Sequence, residues 1–373
     1  MDPSRNAPAP RGKLFGLAIT ALVALTTHAE VANPGLETVA REYARSHDYH
    51  GTVLVERRGV LLYREDFGLA DREFDVPVQP DTKFKIASIT KTFTATLILQ
   101  LRDEGKLKLE APFKTYLPKY PGVGVDAITV HQLLNHTSGL GNYDTILPYE
   151  EAEKRGLDLY QLPHTTDQLL DTHAKGKIAH EPGKVFDYNN ADYVILGKII
   201  EALAGKPYED VLRERILSPL GMTDSGMLHH HAITKRLART YWRPKGVQEM
   251  TNDWPFYYEN WYAAGGMYST ATDLRKFSAA LFGGKLLKPD SLELMLKPGL
   301  DEYGYGAWVS SRKFGEKTDR VFERFGSILG INCILAHTMD ADITIILLSN
   351  TNVPDLGDFS ARLGQAVAAS PKD

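Results

Sequence analysis

The stretch SITKTFTATLILQLRDEG, residues 88–105, has the most regular helical pattern in the chain. Its apolar residues recur at every fourth position, at Ile89, Phe93, Leu97 and Leu101. Apolar residues at this spacing lie on one face of an α-helix, and a glycine directly after such a pattern commonly ends the helix. We therefore predict a core helix that begins near Ser88 and ends at Gly105.

The first turn of this helix carries a serine and a lysine in the spacing S-x-x-K. Because residues three apart on a helix share one face, we expect Ser88 and Lys91 to lie one turn apart. A serine hydroxyl becomes a nucleophile when a base takes its proton, and an amine can do so if its pKa is lowered. The free N–H groups of a helix N-terminus would stabilise the resulting oxyanion. The alternative for Ser88 is an ordinary helix start, because S-x-x-K is a short motif.

The same spacing occurs a second time, at Ser310 and Lys313. This copy lies in SSRKFGEKTD, residues 310–319, which we interpret as a polar turn between two strands. Such a turn offers neither a helix N-terminus nor an environment that lowers the pKa of a lysine. We therefore interpret the second copy as part of a solvated turn.

A motif of the form Y-x-N also occurs twice. Tyr188 and Asn190 follow a Pro-Gly turn and precede an apolar helical stretch, so the tyrosine can be held at the tip of a loop. Tyr258 and Asn260 lie in an aromatic run, residues 254–262, which is more typical of packing or of a pocket wall. We select Tyr188 as the functional copy and keep Tyr258 as the alternative.

The composition is that of a globular protein with a large core. The chain has 373 residues, of which 43% are hydrophobic and 24% charged, and its formal net charge is −4. The near balance of acidic and basic residues provides no electrostatic basis for binding nucleic acid or an anionic membrane. We expect a small-molecule or peptide substrate, and the sequence does not indicate an oligomeric state.

Strand patterns lie at both ends of the chain and helix patterns lie between them. This order predicts an α+β fold, an α/β sandwich with an antiparallel sheet built from N- and C-terminal segments, flanked by helices and carrying a mainly helical inserted lobe. We predict a sheet lobe of residues 30–86 and 291–373 and a helical lobe of residues 87–290. The active site is expected between the two lobes.

The first 29 residues form a separate segment. Basic residues precede an apolar stretch from Leu14 to Leu25, and the small residues Thr27 and Ala29 follow it. This pattern predicts a bacterial export signal cleaved before Glu30, and hence a periplasmic or secreted protein. The alternative is a membrane anchor, but the apolar stretch, at about 12 residues, is shorter than the ~20 that a spanning helix needs. We expect no stable membrane insertion of the mature chain.

The sequence resembles the β-lactamase-related serine hydrolases, a group that contains class C β-lactamases, D-alanyl-D-alanine carboxypeptidases, D-amino-acid amidases and esterases. S-x-x-K followed by a second short polar motif is a signature of such enzymes. Other matching stretches follow in the same order, namely ITVHQLLNHTSGL at 128–140, Pro182-Gly183, AGGMYSTATDL at 264–274 and YGYGAW at 303–308. The resemblance implies a β-lactamase/transpeptidase-like fold and an acyl-transfer reaction.

The resemblance also implies a role for each site residue. Ser88 would attack the substrate carbonyl, Lys91 would take its proton, and Tyr188 would pass a proton to the leaving group. Asn190 would orient Lys91 or the substrate amide, and the backbone N–H groups of Ser88 and Ser327 would hold the oxyanion. No metal or other cofactor is implied. An acidic base of the E-x-x-L-N type is not found, so deacylation would depend on Tyr188 and Lys91.

The third motif departs from the family pattern. Relatives carry Lys-Thr-Gly or His-x-Gly on a strand beside the serine, whereas this chain has Arg324-Phe325-Gly326, followed by Ser327. Arginine stays protonated and cannot act as a base, but it can bind a carboxylate or lower the pKa of a neighbouring lysine or tyrosine. We predict that Arg324, Gly326 and Ser327 belong to the substrate-binding site. The alternative for Arg324 is a surface cation.

Other chemically suggestive residues have simpler interpretations. His136 is interpreted as a packing or loop histidine. His229, His230 and His231 are assigned to a polar loop, because consecutive residues cannot all face one metal ion. Cys333, the single cysteine, lies in a strand-like run and is interpreted as a buried structural thiol.

These observations predict a serine hydrolase that acts on a small amide or ester. The favoured substrates are D-amino-acid peptides or amides, cleaved in a carboxypeptidase- or aminopeptidase-like reaction, or esters. A class C-like β-lactamase is an alternative that Arg324 disfavours. Another alternative is a penicillin-binding or sensor protein that is acylated without turnover. Such a protein would be expected to lack Lys91 or Tyr188, and both are present.

Overall fold

The structure is a computed structural model that describes residues 34–122, 126–141, 149–172, 178–314 and 317–369. The helices within these ranges are α1 (Pro34–Ser46), α2 (Thr90–Asp103), α3 (Val130–Leu134), α4 (Tyr149–Arg155), α5 (Asp158–Gln161), α6 (Thr166–Thr172), α7 (Asn190–Ala204), α8 (Tyr208–Leu212), α9 (Tyr262–Gly265), α10 (Ala271–Phe282), α11 (Pro289–Met295) and α12 (Leu356–Ala369). Short 3₁₀ helices occur at Ala87–Ile89, Phe113–Thr115, Tyr258–Trp261 and Leu300–Glu302, and a π-helical turn at Arg213–Leu217.

The strands are β1 (Gly51–Arg57), β2 (Val60–Phe67), β3 (Leu69–Asp71), β4 (Val76–Pro77), β5 (Phe84–Lys85), β6 (Gly226–Met227), β7 (Tyr241–Trp242), β8 (Thr251–Asn252), β9 (Met267–Ser269), β10 (Trp308–Phe314), β11 (Lys317–Ile328), β12 (Ile331–Thr338) and β13 (Ile343–Ser349). The main sheet is six-stranded and antiparallel, in the order β10-β11-β12-β13-β1-β2. It joins the two ends of the chain, because Gly51 of β1 pairs with Ser349 of β13. This sheet confirms the predicted α+β class.

Helices cover both faces of the main sheet. Successive side chains of a strand point to opposite faces, and β1 follows this rule. Val53 and Val55 join an apolar cluster with α1 and α12, whereas Leu54 joins a larger cluster that includes α2, α7 and α10. The helical part of the chain therefore packs on one face of the sheet, and the terminal helices pack on the other.

Helix α2 lies inside the larger cluster, as its sequence pattern predicts. Phe93 and Leu97 are buried, and Phe93 stacks on Phe277 of α10 with ring centroids 3.8 Å apart. Burial of each such side chain contributes roughly 1.5–3 kcal/mol to folding. The α-helix begins at Thr90, later than predicted, and Ser88 lies in the 3₁₀ helix before it.

The prediction of a polar turn across residues 310–319 is wrong in extent. Strand β10 continues to Phe314 and pairs with β11, which begins at Lys317. Ser310 and Lys313 therefore lie on a strand, where residues three apart face opposite sides. This second S-x-x-K copy cannot bring its serine and lysine together. Strand β10 is a sheet edge, where exposed charged residues discourage pairing with other chains.

Among the described residues, no helix is both long and apolar enough to cross a membrane. The predicted export signal, residues 1–29, lies outside the described residues.

Candidate active site

Ser88 sits in a tight turn that precedes α2. Ala87, just before it, has a φ of 41°, in the left-handed region that costs energy for residues other than glycine. Thr90 stabilises this turn, since its hydroxyl donates to the carbonyl of Ala87 across 2.7 Å and accepts from the N–H of Met267 across 3.3 Å. The strained backbone therefore presents Ser88 at the start of the helix.

The side chains of Lys91 and Tyr188 both lie within hydrogen-bond distance of the Ser88 hydroxyl. Lys91 Nζ lies 3.2 Å from Ser88 Oγ, and the hydroxyl of Tyr188 donates to Ser88 Oγ across 2.8 Å. Tyr188 reaches this position from the loop directly before α7, where Asn189 caps the helix by accepting from the N–H of Ala191 across 2.9 Å.

Lys91 is fully buried, and its Nζ also contacts an amide oxygen and a backbone carbonyl. Its Nζ lies 2.5 Å from Asn190 Oδ1 and 2.8 Å from the carbonyl oxygen of Ala264 in α9. A neutral amine has two N–H groups and one lone pair. If both N–H groups donate to Asn190 and Ala264, the lone pair is left for the hydroxyl proton of Ser88, which is the geometry that a general base requires.

Arg324 lies inside the site, and its interpretation as a surface cation is wrong, because the side chain is only 1% exposed. Its Nε donates to the carbonyl of Ser88 across 2.6 Å, and its two terminal nitrogens donate to the hydroxyls of Tyr303 and Tyr188 across 2.9 and 2.5 Å. The guanidinium also lies over the rings of Tyr188 and Trp308. The arginine therefore orders the aromatic side of the site.

The cations around Tyr188 change its acidity. Burial by itself raises the pKa of the phenol, but the positive charges of Arg324 and Lys91 outweigh it and lower that pKa to about 8. A phenol of this acidity can give up and regain a proton near neutral pH, as a proton relay requires.

Gly326 allows β11 to pass close to the turn that carries Ser88. A Cβ atom at this position would lie 2.2 Å from the carbonyl oxygen of Ile86, so any side chain would push strand and turn apart. Ser327 follows on the same strand with an exposed side chain. Among the predicted site residues, Ser88, Lys91, Tyr188, Asn190 and Arg324 share one hydrogen-bond network, and Gly326 sets the spacing beside it.

Two groups in this network were assigned no role from the sequence. Tyr303 accepts a hydrogen bond from Arg324. It lies in the YGYGAW stretch, which matches the family pattern, but the sequence indicated no role for this tyrosine. The carbonyl of Ala264 is a backbone group in the AGGMYSTATDL stretch, and no residue type could have indicated it.

The other candidates lie in different surroundings. Tyr258 packs on Trp261, with ring centroids 5.8 Å apart, and its hydroxyl accepts from Lys85 across 2.8 Å. Cys333 is fully buried, and this burial raises the pKa of its thiol to about 12. His229 contacts Glu209 across 2.8 Å, and the described part of the chain contains no group of three His, Cys, Asp or Glu residues placed to hold a metal ion.

Comparisons with known proteins identify the family of this chain. The Beta-lactamase family model matches residues 36–369. The chain is 31% identical over 325 residues to the putative penicillin-binding protein PbpX of Bacillus subtilis, covering 87% of this chain and 76% of PbpX. It is 33% identical over 207 residues to esterase EstB of Burkholderia gladioli, covering 52% and 51% of the two chains.

A solved structure supports the same relationship. D-amino acid amidase from Ochrobactrum anthropi SV3 superposes with a TM-score of 0.77 at 26% identity, covering 90% of this chain and 98% of the amidase. The family match extends from α1 to α12, and these relatives include proteins named as an esterase and as a D-amino acid amidase. The chain therefore belongs to the beta-lactamase family and is a serine hydrolase.

Proposed function

We propose that this hydrolase forms an acyl-enzyme on Ser88 and that its substrates are small D-amino-acid amides or peptides, or esters. One observation carries the proposal: Ser88 Oγ lies within hydrogen-bond distance of both Lys91 Nζ and the Tyr188 hydroxyl. A serine with a base on one side and a proton donor on the other has what acyl transfer needs.

Acylation begins with the proton of Ser88. Lys91 takes this proton as Oγ bonds to the substrate carbonyl carbon, and the oxyanion forms near the start of α2, where free N–H groups favour negative charge. The backbone N–H groups of Ser88 and Ser327 are the proposed oxyanion donors.

Collapse of the tetrahedral intermediate needs a proton on the leaving group. The Tyr188 hydroxyl gives its proton to the departing amine or alcohol as the carbon–leaving group bond breaks, and the proton on Lys91 then returns to Tyr188. In deacylation, Tyr188 and Lys91 together take a proton from water as it attacks the ester, and Ser88 Oγ regains its proton as it departs. The charge of Arg324, 2.5 Å from the phenolic oxygen, stabilises Tyr188 when it is deprotonated.

The position of Arg324 favours neutral substrates. Of the two roles predicted for it, carboxylate binding would need the guanidinium to face the substrate, yet it is 1% exposed and all its nitrogens donate to protein oxygens. Its contact with Tyr188 supports the electrostatic role. Amides and esters without a carboxylate next to the cleaved bond are therefore preferred over carboxypeptidase substrates and β-lactams.

Side-by-side turnover tests this choice. D-alanine p-nitroanilide and p-nitrophenyl acetate should be turned over with higher kcat/KM than a chromogenic cephalosporin, whereas faster cephalosporin turnover would identify a β-lactamase. Stable acylation without turnover on every substrate would identify a penicillin-binding or sensor protein.

We also propose export and a two-lobe organisation. The residue pattern of 1–29 supports an export signal, and a protein made in a bacterial host should then begin at Glu30 outside the cytoplasm. An intact Met1 on membrane-bound material would contradict this.

Arg324 comes from the main sheet, whereas Lys91 and Tyr188 come from the helical segment, which supports a site between the two lobes.

A further inference from the structure

His136 is bonded to the residues on both sides of Tyr188. Its backbone carbonyl accepts from the N–H of Asp187 across 2.9 Å, and its Nδ1 accepts from the N–H of Asn189 across 3.3 Å. Its ring also lies against the ring of Tyr188, with centroids 4.5 Å apart. His136 therefore contacts the Tyr188 loop at three points, one through its backbone and two through its buried side chain, which exceeds the packing role that the sequence suggested.

The backbone around His136 is tightly constrained. His136 has a φ of 57°, in the left-handed region. Gly139 in the same loop has a φ of 72°, and a Cβ there would lie 2.1 Å from the carbonyl oxygen of His180. In the same loop, the carbonyl of Thr137 accepts a hydrogen bond from the N–H of Gly183 across 2.7 Å. The loop itself therefore fixes the position of His136, independently of the contact with Tyr188.

Asp192 in the first turn of α7 fixes the imidazole ring. Its Oδ2 lies 3.0 Å from His136 Nδ1, and its Oδ1 accepts from Ser138 Oγ across 2.6 Å. The side chains of His136 and Asp192 are fully buried. The Asp192 carboxyl therefore joins the loop of His136 to the helix that follows Tyr188.

The hydrogen bond from Asn189 bears on the protonation of His136. A backbone N–H can only donate, so Nδ1 accepts in this contact and the proton of the neutral imidazole lies on Nε2, which is buried without a hydrogen-bond partner among the described residues. The one lone pair of Nδ1 is then shared with the carboxyl of Asp192, which must be protonated to donate to it. Burial raises the pKa of Asp192 well above its usual value, and burial together with the charges of Lys91 and Arg324 lowers the pKa of His136, which agrees with a neutral pair.

We propose that His136, oriented by Asp192, is a positioning residue that holds the Tyr188 hydroxyl on Ser88 Oγ. The inference rests on the proposed acyl transfer by Ser88 and Tyr188. Tyr188 stands on a loop, and its oxygen must stay within 2.8 Å of Ser88 Oγ to relay a proton. A displacement of about 1 Å at a reacting group can cost on the order of 10²-fold in rate.

Substitutions at His136 separate positioning from packing. His136→Leu removes the acceptor for Asn189 and should lower kcat on the order of 10²-fold with KM little changed. His136→Asn places an oxygen near the position of Nδ1 and tolerates the left-handed backbone, so it should recover part of the lost kcat. Thr137→Val is the matched control, because it removes a buried hydroxyl from the same loop that contacts Asn135, and it should leave kcat unchanged.

Substitutions at Asp192 test the direction of the hydrogen bond. In Asp192→Asn the amide can donate to His136 Nδ1 and accept from Ser138, as the protonated carboxyl does, so kcat should stay close to that of the wild type. Asp192→Leu loses both bonds and should behave like His136→Leu. A large fall in kcat for Asp192→Asn at an unchanged melting temperature would overturn the orienting role of Asp192.

The deciding experiment is the rate at which a fluorophosphonate probe labels Ser88 in the intact chain. Slower labelling of His136→Leu than of Thr137→Val, with partial recovery in His136→Asn, is the expected result. Equal rates in the wild type and in folded His136→Leu would overturn this inference and leave the proposed function intact. Absence of labelling at Ser88 in the wild type would overturn both. If His136→Leu does not fold, the comparison of His136→Asn with Thr137→Val decides, and equal kcat in these two overturns the inference.

Discussion

Arg324 donates a hydrogen bond to the hydroxyl of Tyr188 across 2.5 Å. The same side chain holds the carbonyl of Ser88, so one cation touches both the candidate nucleophile and its proton relay. A guanidinium can make these contacts together because its donors are spread over a planar fork, which an ammonium lacks. Arg324 supplies a fixed positive charge at this point and, because its guanidinium stays protonated, cannot take part in proton transfer.

Removal of this charge should change the pH profile. Because the charge of Arg324 helps to lower the pKa of Tyr188 to about 8, Arg324→Ala should raise that pKa. The alkaline limb of kcat/KM, where Tyr188 loses the proton that it gives to the leaving group, should therefore move to higher pH. Arg324→Lys should retain part of the effect, since it keeps the charge but loses the fork. The measurement is kcat/KM for D-alanine p-nitroanilide across pH, because its amine leaving group needs a proton, with melting temperatures as the control for folding. If the pH profiles of the wild type and both variants were identical, Arg324 would have no effect on the acidity of Tyr188.

Arg324→Ala should also test substrate choice. If the guanidinium acts only through Tyr188, the variant loses the same factor in kcat/KM on a neutral ester and on an ester that bears a carboxylate. A clearly larger loss on the carboxylate-bearing ester would restore the carboxylate-binding role.

Asn190 should keep Lys91 in its reactive form. A carboxylate in place of the amide, 2.5 Å from Nζ, would favour the charged ammonium, which cannot accept the proton of Ser88. Asn190→Asp should therefore lower kcat/KM on the order of 10²-fold at neutral pH, with partial recovery at higher pH. Asn190→Ala removes the acceptor without adding charge and should lack that recovery. The same pH dependence in both variants would refute this reasoning.

Gly326 should be required for the approach of β11 to the Ser88 turn. Gly326→Ala places a methyl group 2.2 Å from the carbonyl oxygen of Ile86, and such overpacking costs about 1–3 kcal/mol in the free energy of unfolding. Activity should fall with it, because Arg324 is on the same strand. Gly357→Ala, in helix α12, is the control, since its nearest contact is 3.3 Å, at a side-chain oxygen. Chemical denaturation of both variants makes the comparison, and equal stabilities would contradict the packing argument.

The sequence predicts the parts of this fold that local patterns determine. Helix α2 forms within the apolar pattern of residues 88–105, and helix α7 forms in the apolar stretch that follows Tyr188. The extent of β10 was underestimated, because a polar edge strand has the composition of a loop. The composition of a segment does not show which strand will pair with that segment.

The site divides in the same way. Ser88 and Lys91 could be paired from spacing, because a helical turn fixes their relation. The burial of Arg324 could not be predicted from spacing. It depends on Tyr188 and Tyr303, which are far away in sequence and supply hydrogen-bond acceptors for the guanidinium. The contact of His136 with the Tyr188 loop is likewise set by tertiary packing.

The most direct test of the central claim is intact-mass analysis of the protein after brief incubation with a fluorophosphonate probe, followed by peptide mapping of the modified residue. The account predicts a single adduct on Ser88, no adduct in Ser88→Ala, and a loss of turnover on the order of 10⁴- to 10⁶-fold in that variant. Ser310→Ala, which alters the serine of the second S-x-x-K copy, should be labelled like the wild type. An adduct on Ser310 or Ser138, or full turnover by Ser88→Ala, would contradict the assignment of Ser88 as the nucleophile.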